Sequence, residues 1–326
     1  MKRPRLERWM HWSWEDYLVY FLSWPAAKAR ARRSDAGVVS LLTNEELARF
    51  CEPIRARLAT MFSGSTPAVS IQMPCRNDQD ELLATLVSYT MLDVAPGEAE
   101  LIIADNASSD RTGTVIEACG VKGVFAPEPG MGRARRAAYD AMSPSAKFVW
   151  LTDSDARVLA PIRRFHHLQR RSPILKTNVS WFSENDKVIG VSTGIVYEYT
   201  HPLFRLLRAI AIAGGNAPTI HCWSGANQFV LRSALDAIGG INANVPYRAR
   251  EDHQRMYELA RYGKRIGAQM LSAATIRTLY DPVYHSGRRR GTLRDVLVAA
   301  GRGRRVVRAP RDRFGFPSHP ADRIRE

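Results

Sequence analysis

Hydrophobic runs and polar loops alternate along the middle of the chain in a pattern that predicts strands followed by helices. Residues 68–74 form an apolar strand that ends at a proline, and a helix is predicted over residues 86–92 after the acidic stretch 78–81. A second strand is predicted over residues 99–104, and it runs into a polar loop at residues 105–112. Strand, loop and helix in this order are typical of a parallel βαβ sheet, so we predict an α/β fold.

A third apolar run, at residues 148–151, is followed by the acidic step Asp153-Ser154-Asp155. Alternation along a strand would send both carboxylates to one side and Ser154 to the other. Mg²⁺ and Mn²⁺ prefer oxygen ligands and keep positions for water and phosphate, so two carboxylates are enough to hold one ion. The same pattern is also typical of a solvated turn or a helix cap, so the step alone leaves both interpretations open.

Polar residues also follow the second predicted strand, beginning with Asp105. The carboxyl ends of parallel strands share one edge of the sheet, and ligands bind there, so Asp105 and Asp153 are expected to lie at that edge. An ordinary turn over residues 105–110 is the alternative. For Asp110 itself we expect a helix N-cap.

Two glycines, Gly130 and Gly132, open a predicted helix that carries Arg133, Arg135 and Arg136. Glycine lets a ligand approach the backbone closely, and a helix N-terminus favours anions, so phosphate or ribose contacts are expected from these arginines. Arg135 replaces the third glycine of a dinucleotide fingerprint, and the chain has no Walker sequence. A Rossmann dehydrogenase and a P-loop kinase are therefore disfavoured.

These blocks, in this order, resemble the glycosyltransferases of family 2, which have the GT-A fold. The resemblance covers roughly residues 68–270 and is carried by residues 71–77, 103–112, 130–138, 153–155, 223–227, 232, 239–240 and 250–266. It implies a GT-A (Rossmann-like) α/β fold, with a mixed, mainly parallel sheet flanked by helices and helical extensions at both ends. The implied division is an N-terminal extension at 1–65, a catalytic domain at 66–285 and a C-terminal extension at 286–326.

The resemblance also implies a site for a nucleotide-sugar donor and a divalent metal. In the family, the residue matching Asp105 contacts the uracil or ribose, the one matching Asp155 binds Mn²⁺ or Mg²⁺, and Asp153 supports the site. His285 is a further candidate metal ligand, with a surface histidine as the alternative. The implied donor-binding residues are Pro74, Arg76, Asn77, Asp105, Gly130, Arg133, Asp153 and Asp155.

A second group of residues is implied on the acceptor side. Asp252 matches the family's catalytic base and Glu251 has a supporting catalytic role, although acidic residues also stabilise the start of a helix. Arg288 and Arg289 are candidates for a clamp on the diphosphate. The segment that matches the acceptor side contains Trp223, Gly225, Ala226 and Asn227.

The expected activity is a metal-dependent, nonprocessive transfer of one hexose or pentose from a nucleoside-diphosphate sugar to an acceptor hydroxyl. The resemblance favours UDP, and a single base opposite the leaving diphosphate favours inversion, with retention left open. One alternative is a DNA-base glycosyltransferase of the phage type, and another is a non-catalytic module that binds a nucleotide or glycan. The presence of Asp105, Asp153, Asp155 and Asp252 together argues against the non-catalytic module.

The net charge of +15 is concentrated at the two ends of the chain. Residues 1–33 hold eight Lys or Arg against three acidic residues, and residues 286–326 hold twelve against four. Aromatic residues among the first basic residues suit an anionic membrane surface, where the acceptor would be a membrane- or lipid-associated glycan. Binding to nucleic acid phosphates and plain solvation of the ends are the alternatives.

Composition favours a cytoplasmic enzyme. At 326 residues and 45% hydrophobic content, the chain can bury one large α/β domain with extensions. The four cysteines lie far apart without a CxxC pair, which indicates a reducing compartment and neither a zinc site nor a disulfide framework. No membrane span or signal peptide is indicated, so we expect a cytoplasmic protein, peripheral at the inner face of the membrane if its ends bind lipid. The oligomeric state is left open.

Overall fold

The computed structural model describes residues 38–158, 171–192, 195–197, 225–244, 251–272 and 283–285, and the elements below belong to these ranges. The helices are α1 (Val38–Leu41), α2 (Asn44–Met61), α3 (Gln79–Tyr89), α4 (Thr112–Ala118), α5 (Met131–Asp140), α6 (Ile174–Glu184), α7 (Arg232–Ala237) and α8 (Glu251–Ile266). The strands are β1 (Val69–Cys75), β2 (Ala99–Asp105), β3 (Lys122–Phe125), β4 (Phe148–Thr152), β5 (Ala156–Arg157), β6 (Val188–Ser192), β7 (Ile195–Tyr197), β8 (Asn227–Leu231), β9 (Gln269–Ser272) and β10 (Val283–His285).

Seven of the described strands form one sheet in the order β3-β2-β1-β4-β8-β6-β9. Strand β1 pairs in parallel with β2 and β4, β2 with β3, and β6 with β9, whereas β8 is antiparallel to β4 and β6. The predicted mixed, mainly parallel sheet is therefore confirmed. Every residue of β1 is buried, as expected of a strand that is covered on both faces.

The expectation that Pro74 ends the first strand is wrong, because β1 continues past it. The Cys75 carbonyl accepts a hydrogen bond from the Asn106 N–H, directly after β2, so the odd-numbered residues of β1 face β2. Pro74 faces the other neighbour, β4, where the pairing already ends at Gln72 and Leu151. The missing N–H of Pro74 therefore costs the sheet no hydrogen bond.

Hydrophobic side chains cover both faces of the sheet. On one face Ile71 and Trp150 join a core cluster with residues of α2, α3 and α6, and on the other Ile102 joins residues of α5, α7 and α8. Trp150 stacks on both Tyr89 and Phe229, with ring centroids 5.6 and 5.0 Å apart. Full burial of a side chain such as Ile71 or Phe229 stabilises the fold by about 1.5–3 kcal/mol.

Helix α2 has a complete N-terminal cap and one apolar face. The Glu46 N–H donates to Thr43 Oγ1 (3.2 Å), and the Thr43 N–H donates to the Glu46 carboxylate (2.8 Å). The Thr43 N–H keeps the pKa of Glu46 below its ordinary value. A helix within the predicted extension 1–65 thus packs into the main core, and the division at residue 65 stays a prediction. The buried face consists of Leu47, Cys51, Ile54, Leu58 and Met61.

A smaller sheet contains three described strands in the order β5-β10-β7. Strand β10 is antiparallel to β5, which follows shortly after β4, and parallel to β7. This sheet brings the chain near residue 285 back beside the segment after β4. Among the helices that the structure describes, none has the length and hydrophobicity needed to cross a bilayer.

A groove of about 620 Å³ opens at the amino edge of the large sheet. Its apolar walls include Leu58, Leu101 and Met142. Lys122 and Glu100, which also line it, form an ion pair with 3.4 Å between Nζ and Oε2. The groove therefore lies at the opposite end of the strands from their carboxyl termini.

Candidate active site

Neighbouring strands bring acidic side chains to the carboxyl edge of the large sheet. Strand β2 ends at Asp105, which pairs with Cys75 at the end of β1. Strand β4 lies on the other side of β1 and ends at Thr152, so Asp153 follows its carboxyl end. The structure thus places Asp105 and Asp153 at the edge where ligands of parallel sheets bind.

The acidic step Asp153-Ser154-Asp155 is a turn, so the expected continuation of strand alternation is wrong. The Ala156 N–H donates to the Asp153 carbonyl (3.1 Å) and closes the turn. Ser154 is buried and donates to the Asp78 carboxylate (2.7 Å), which anchors the turn beside the start of α3. The turn, and not the pleat of a strand, sets the direction of the two carboxylates.

Arg135, on α5, lies beside this turn and is only 1% exposed. Its Nη2 donates to the Asp153 carboxylate (2.7 Å) and the Gly225 carbonyl (3.1 Å), and its Nη1 donates to the Thr152 carbonyl (3.2 Å). Its Nε donates to the Glu251 carboxylate (2.6 Å). The expected phosphate or ribose contact is therefore wrong for Arg135, because protein acceptors occupy its guanidinium.

The other two arginines of α5 are partly exposed. Arg133 forms an ion pair with Glu128 (2.7 Å), and 41% of its side chain is exposed. Arg136 forms an ion pair with Asp140 (2.8 Å) one helical turn further on. Arg133 is thus accessible to a ligand at the start of α5, as its predicted role requires.

Glu251, the first residue of α8, accepts hydrogen bonds with both carboxylate oxygens. One bond comes from Arg135 (2.6 Å), and the other comes from Arg255 Nη1 (3.0 Å). Burial works to lower the pKa of Arg135, but the charges of Glu251 and Asp153 raise it above its ordinary value. Burial lowers the pKa of Arg255. Glu251 thus has the contacts of a supporting side chain, held between two buried cations.

Asp252, the predicted base, is half-buried at the start of α8. Its Oδ2 accepts a hydrogen bond from the Gly225 N–H (3.1 Å), while the Gly225 carbonyl accepts one from Arg135 (3.1 Å). A Cβ at Gly225 would lie 2.8 Å from Arg135 Nη2 and 3.4 Å from Asp252 Cβ. The backbone of Gly225 therefore connects Arg135 to Asp252, and the space around it is too small for a side chain at this position.

The next two residues of the predicted acceptor-side segment lie in the core. Ala226 and Asn227 are fully buried, and the Asn227 Oδ1 accepts a hydrogen bond from Trp150 Nε1 (3.0 Å). These two side chains have the contacts of core residues, and an acceptor role for the segment stays a prediction. Three further predicted site residues lie outside the described ranges, namely Trp223, Arg288 and Arg289.

The loops after β1 and β2 hold each other in place. Asn77 has a φ of +49°, in the left-handed region that asparagine tolerates better than most residues. Its N–H donates to Ser108 Oγ (3.0 Å), and its Oδ1 accepts a hydrogen bond from the Ser109 N–H (2.7 Å). Arg76 and Asn77 are exposed at this rim, whereas Pro74 is buried within β1.

Asn106 connects the loop after β2 to the glycine-rich turn before α5. Its Nδ2 donates to the carbonyls of Ala126 (3.3 Å) and Glu128 (2.8 Å), and its Oδ1 accepts a hydrogen bond from the Gly130 N–H (2.7 Å). Because Asn106 is only 4% exposed, water competes little for these bonds. Asn106 thus fixes Gly130, a predicted donor-binding residue, relative to Asp105.

The expected N-cap at Asp110 is wrong by one residue, because α4 begins at Thr112 with Arg111 in the capping position. The Asp110 carboxylate still accepts a hydrogen bond from the Thr112 N–H (3.0 Å) and another from the Gln79 N–H (3.3 Å). Asp110 therefore links the starts of α3 and α4.

Asp155, the predicted metal ligand, lies at the carboxyl edge of the sheet. It is half-buried in the turn at the carboxyl edge, two residues after Asp153. Within the described ranges, no three His, Cys, Asp or Glu side chains are grouped to hold a metal. Two carboxylates still fit Mn²⁺ or Mg²⁺, because phosphate oxygens and water complete the shell. The backbone of His285 pairs with Ala156, directly after Asp155, while its side chain lies outside the description.

Sequence reasoning missed two residues of this site. The only sequence feature that could have indicated a site role for Asn106 is its position directly after Asp105. Arg255 lies four residues after Glu251, a spacing that predicts an ion pair on one face of a helix. Its second contact, to Gln228 in β8 (2.8 Å), depends on tertiary packing that no local pattern contains.

Comparison with known proteins supports the fold and the family. Residues 70–160 match the family model described as Glycosyl transferase family 2. The fold is similar to that of the mannosyltransferase PcManGT from Pyrobaculum calidifontis in complex with GDP-Man and Mn²⁺. That likeness has a TM-score of 0.51 and 17% identity, and it covers 85% of this chain and 76% of that chain.

Two further solved structures match at lower TM-scores. S. aureus TarS 1-349 has a TM-score of 0.43 and 17% identity, with 68% of this chain and 58% of that chain covered. Glucosyl-3-phosphoglycerate synthase from Mycobacterium tuberculosis, in complex with Mn²⁺, UDP-Glc and phosphoglyceric acid, has a TM-score of 0.43 and 16% identity, with 77% and 84% covered.

The search of curated proteins finds no match. The residues matched by the family model run from β1 through the acidic turn after β4, and they include the carboxyl edge that carries Asp105, Asp153 and Asp155. Residues 70–160 therefore match glycosyltransferase family 2, and the chain has the fold of a GT-A glycosyltransferase.

Proposed function

We propose that this glycosyltransferase moves one sugar from a nucleoside-diphosphate sugar to an acceptor hydroxyl, with inversion and with the help of a divalent metal. The observation that carries the proposal is that the acidic turn after β4 and the first residues of α8 meet through Arg135 and Gly225. A donor-side carboxylate pair and a separate carboxylate for the acceptor are the parts that such a transfer needs.

The donor is proposed to lie along the carboxyl edge of the sheet. Asp105 would contact the base or ribose, and the exposed Arg76, Asn77 and Arg133 would lie along the nucleotide. Gly130 leaves its backbone open to close approach. UDP is the proposed nucleotide, and GDP is the alternative to test, since PcManGT was solved with GDP-Man and Mn²⁺.

Asp155, supported by Asp153, is proposed to hold Mn²⁺ or Mg²⁺. His285 is proposed as a further ligand, because its backbone is paired with Ala156 beside this turn. When bound, the metal supplies neutralisation of the negative charge on the leaving diphosphate. Arg288 and Arg289 are proposed to add positive charge to the same group.

Asp252 is the proposed general base. Its carboxylate takes the proton of the acceptor hydroxyl while the acceptor oxygen forms a bond to the anomeric carbon of the sugar. The bond from that carbon to the diphosphate oxygen breaks, and the diphosphate leaves with the electron pair. A base on the face opposite the leaving group gives inversion, by the logic that governs inverting hydrolases. Glu251 is proposed to support the base, because arginines occupy both of its oxygens.

The acceptor is proposed to approach Asp252 from the side of Gly225. A glycan associated with an anionic membrane surface is the proposed acceptor, which would place the protein at the cytoplasmic face of a membrane. DNA is the second proposal, and both rest on the charge of the chain ends. Vesicle flotation with and without anionic lipid, beside a salt-dependent DNA mobility shift, separates the two acceptors.

The first experiment measures the Mn²⁺-dependent release of UDP from UDP-glucose, with water as the acceptor. We expect hydrolysis by the wild type and a fall of about 100-fold or more in Asp155→Ala, because charge on the diphosphate is no longer neutralised. Asp140→Ala, which removes an exposed acid paired only on the surface of α5, is the matched control and is expected to keep wild-type hydrolysis.

A thermal-shift screen of other nucleotide-sugars with Mn²⁺ identifies the donor if UDP-glucose is not used, because bound donor stabilises the folded state. Binding of a nucleotide-sugar without turnover of any donor would instead support the non-catalytic module. Equal hydrolysis by Asp155→Ala and the wild type would refute the metal role of Asp155.

A further inference from the structure

We propose that Arg135 is a positioning residue, which sets the base-bearing helix α8 against the donor-side turn after β4. This role rests on the function proposed above. The hydrogen bonds of Arg135 go to protein groups on the turn after β4, Gly225 and the start of α8. Arg135 acts through the groups that it holds.

The contacts of Arg135 join three separate segments of the chain. Asp153 and Thr152 belong to the end of β4 and its turn, Gly225 precedes β8, and Glu251 begins α8. The sequence separations are 18, 90 and 116 residues for Asp153, Gly225 and Glu251. The pairing of β4 with β8, which joins Thr152 to Asn227, already sets the turn beside Gly225. The start of α8 is outside that pairing, so its spacing from the turn is the one that depends on a shared side chain.

The shape of the guanidinium suits this role. Arg135 uses four of its five N–H donors, and Nη2 alone serves both Asp153 and the Gly225 carbonyl. The donors lie in one rigid plane, so the acceptors must keep fixed relative positions. Lysine has the same charge, but its three N–H donors share one nitrogen, so it cannot reproduce this set of directions.

Gly225 connects Arg135 to Asp252 through its backbone. Its carbonyl accepts from Arg135, and its N–H donates to the Asp252 carboxylate. The missing side chain is essential to this arrangement, because a Cβ would lie 2.8 Å from Nη2 of Arg135. A displacement of the guanidinium therefore moves the predicted base relative to the donor-side turn, which the bonds from Ser154 to Asp78 and from Ala156 to Asp153 continue to hold.

A second layer holds Glu251 itself. Arg255 donates to the other oxygen of Glu251 and to the side chain of Gln228 in the central part of the sheet. Arg255 is 3% exposed and Gln228 is 1% exposed, so this support is shielded from water. Arg255 thus connects Glu251, and with it the start of α8, to strand β8 of the sheet.

The test compares Arg135→Lys with the wild type in two measurements made where both proteins are folded. We expect kcat for Mn²⁺-dependent hydrolysis of UDP-glucose to fall about 100-fold, as for a misplacement of catalytic groups by about 1 Å. The Kd of Mn²⁺·UDP is expected to stay within about threefold, because Asp105 and Asp155 are unchanged. Arg49→Lys, at an exposed arginine of α2, is the matched control and is expected to match the wild type in both.

A merely structural role predicts a different pattern. In that case Arg135→Lys would lower the folded fraction but leave kcat per folded molecule within about threefold of the wild type, and that result overturns the proposal. Parallel loss of kcat and of Mn²⁺·UDP binding also overturns it. A wild type that turns over no nucleotide-sugar is a separate outcome, since it refutes the proposed function itself and this role with it.

Gly225→Ala provides the second variant if Arg135→Lys does not fold. It keeps every charge of the network and displaces only the guanidinium and Asp252. We expect the same loss of kcat, again with Mn²⁺·UDP binding kept within about threefold. Wild-type kcat in Gly225→Ala would overturn the proposal independently of Arg135→Lys.

Discussion

The substitution Glu251→Ala should destabilise the fold strongly, because it leaves two buried cations without their shared counter-ion. Glu251 accepts from Arg135 (2.6 Å) and Arg255 (3.0 Å), and the side chains of all three residues are at most 9% exposed. Breaking a buried pair by removing one partner costs about 3–5 kcal/mol. Native domains are stable by only about 5–15 kcal/mol, so this loss is a large share of the total.

An exposed ion pair gives the matched comparison. Glu45 and Arg49 on α2 are also four residues apart, but their side chains are 86% and 81% exposed, and the two charged groups are 3.8 Å apart. Glu45→Ala is therefore expected to cost under about 1 kcal/mol. The two substitutions remove the same chemical group and differ mainly in burial.

Urea unfolding, followed by tryptophan fluorescence and circular dichroism, measures both variants. Coincident transitions in the two signals would justify a two-state free energy. We expect the midpoint for Glu251→Ala to fall well below that for Glu45→Ala, with a similar dependence on urea concentration. A cost for Glu251→Ala as small as that for Glu45→Ala would refute the idea that the arginines depend on Glu251.

Two other predictions concern different parts of the structure. Asn106→Ala removes three hydrogen bonds to the turn that ends at Gly130. The Kd of Mn²⁺·UDP, measured by titration calorimetry, should therefore rise about tenfold, equivalent to about 1.4 kcal/mol. An unchanged Kd would show that this turn does not contact the nucleotide. Burial raises the pKa of the Cys51, Cys75 and Cys119 thiols, so they stay protonated well above pH 8 in the folded protein and gain their usual thiolate fraction only on unfolding. Iodoacetamide at pH 8 should therefore label these three at least about 100-fold more slowly in native protein than in urea, by mass spectrometry, and rapid native labelling would contradict their burial.

Periodicity and strand signals were enough to predict the sheet and the edge that carries the acidic residues. Apolar runs of four to seven residues followed by polar loops correspond to β1, β2 and β4, because parallel strands are buried on both faces and have no alternation. The error at Pro74 has a clear reason, since whether a proline ends a strand depends on which neighbour its missing N–H faces. The single sequence does not contain that information.

The site was predicted less completely than the sheet. Asp105, Asp153 and Asp155 follow strands, so a local pattern could indicate their common edge. The burial of Arg135 could not be predicted in this way, because its partners come from segments up to 116 residues away. Arginine after a glycine-rich turn is a common phosphate ligand, and only the tertiary contacts of Arg135 with the turn after β4, Gly225 and the start of α8 reverse that expectation.

The groove at the amino edge has a practical consequence for ligand discovery. It is concave and has both apolar walls and a charged pair, so small fragments soaked into crystals would tend to collect there. Such hits would lie at the far end of the strands from the acidic turn and need not affect turnover. Displacement by nucleotide, and not occupancy alone, is therefore the criterion by which an inhibitor of this enzyme should be selected.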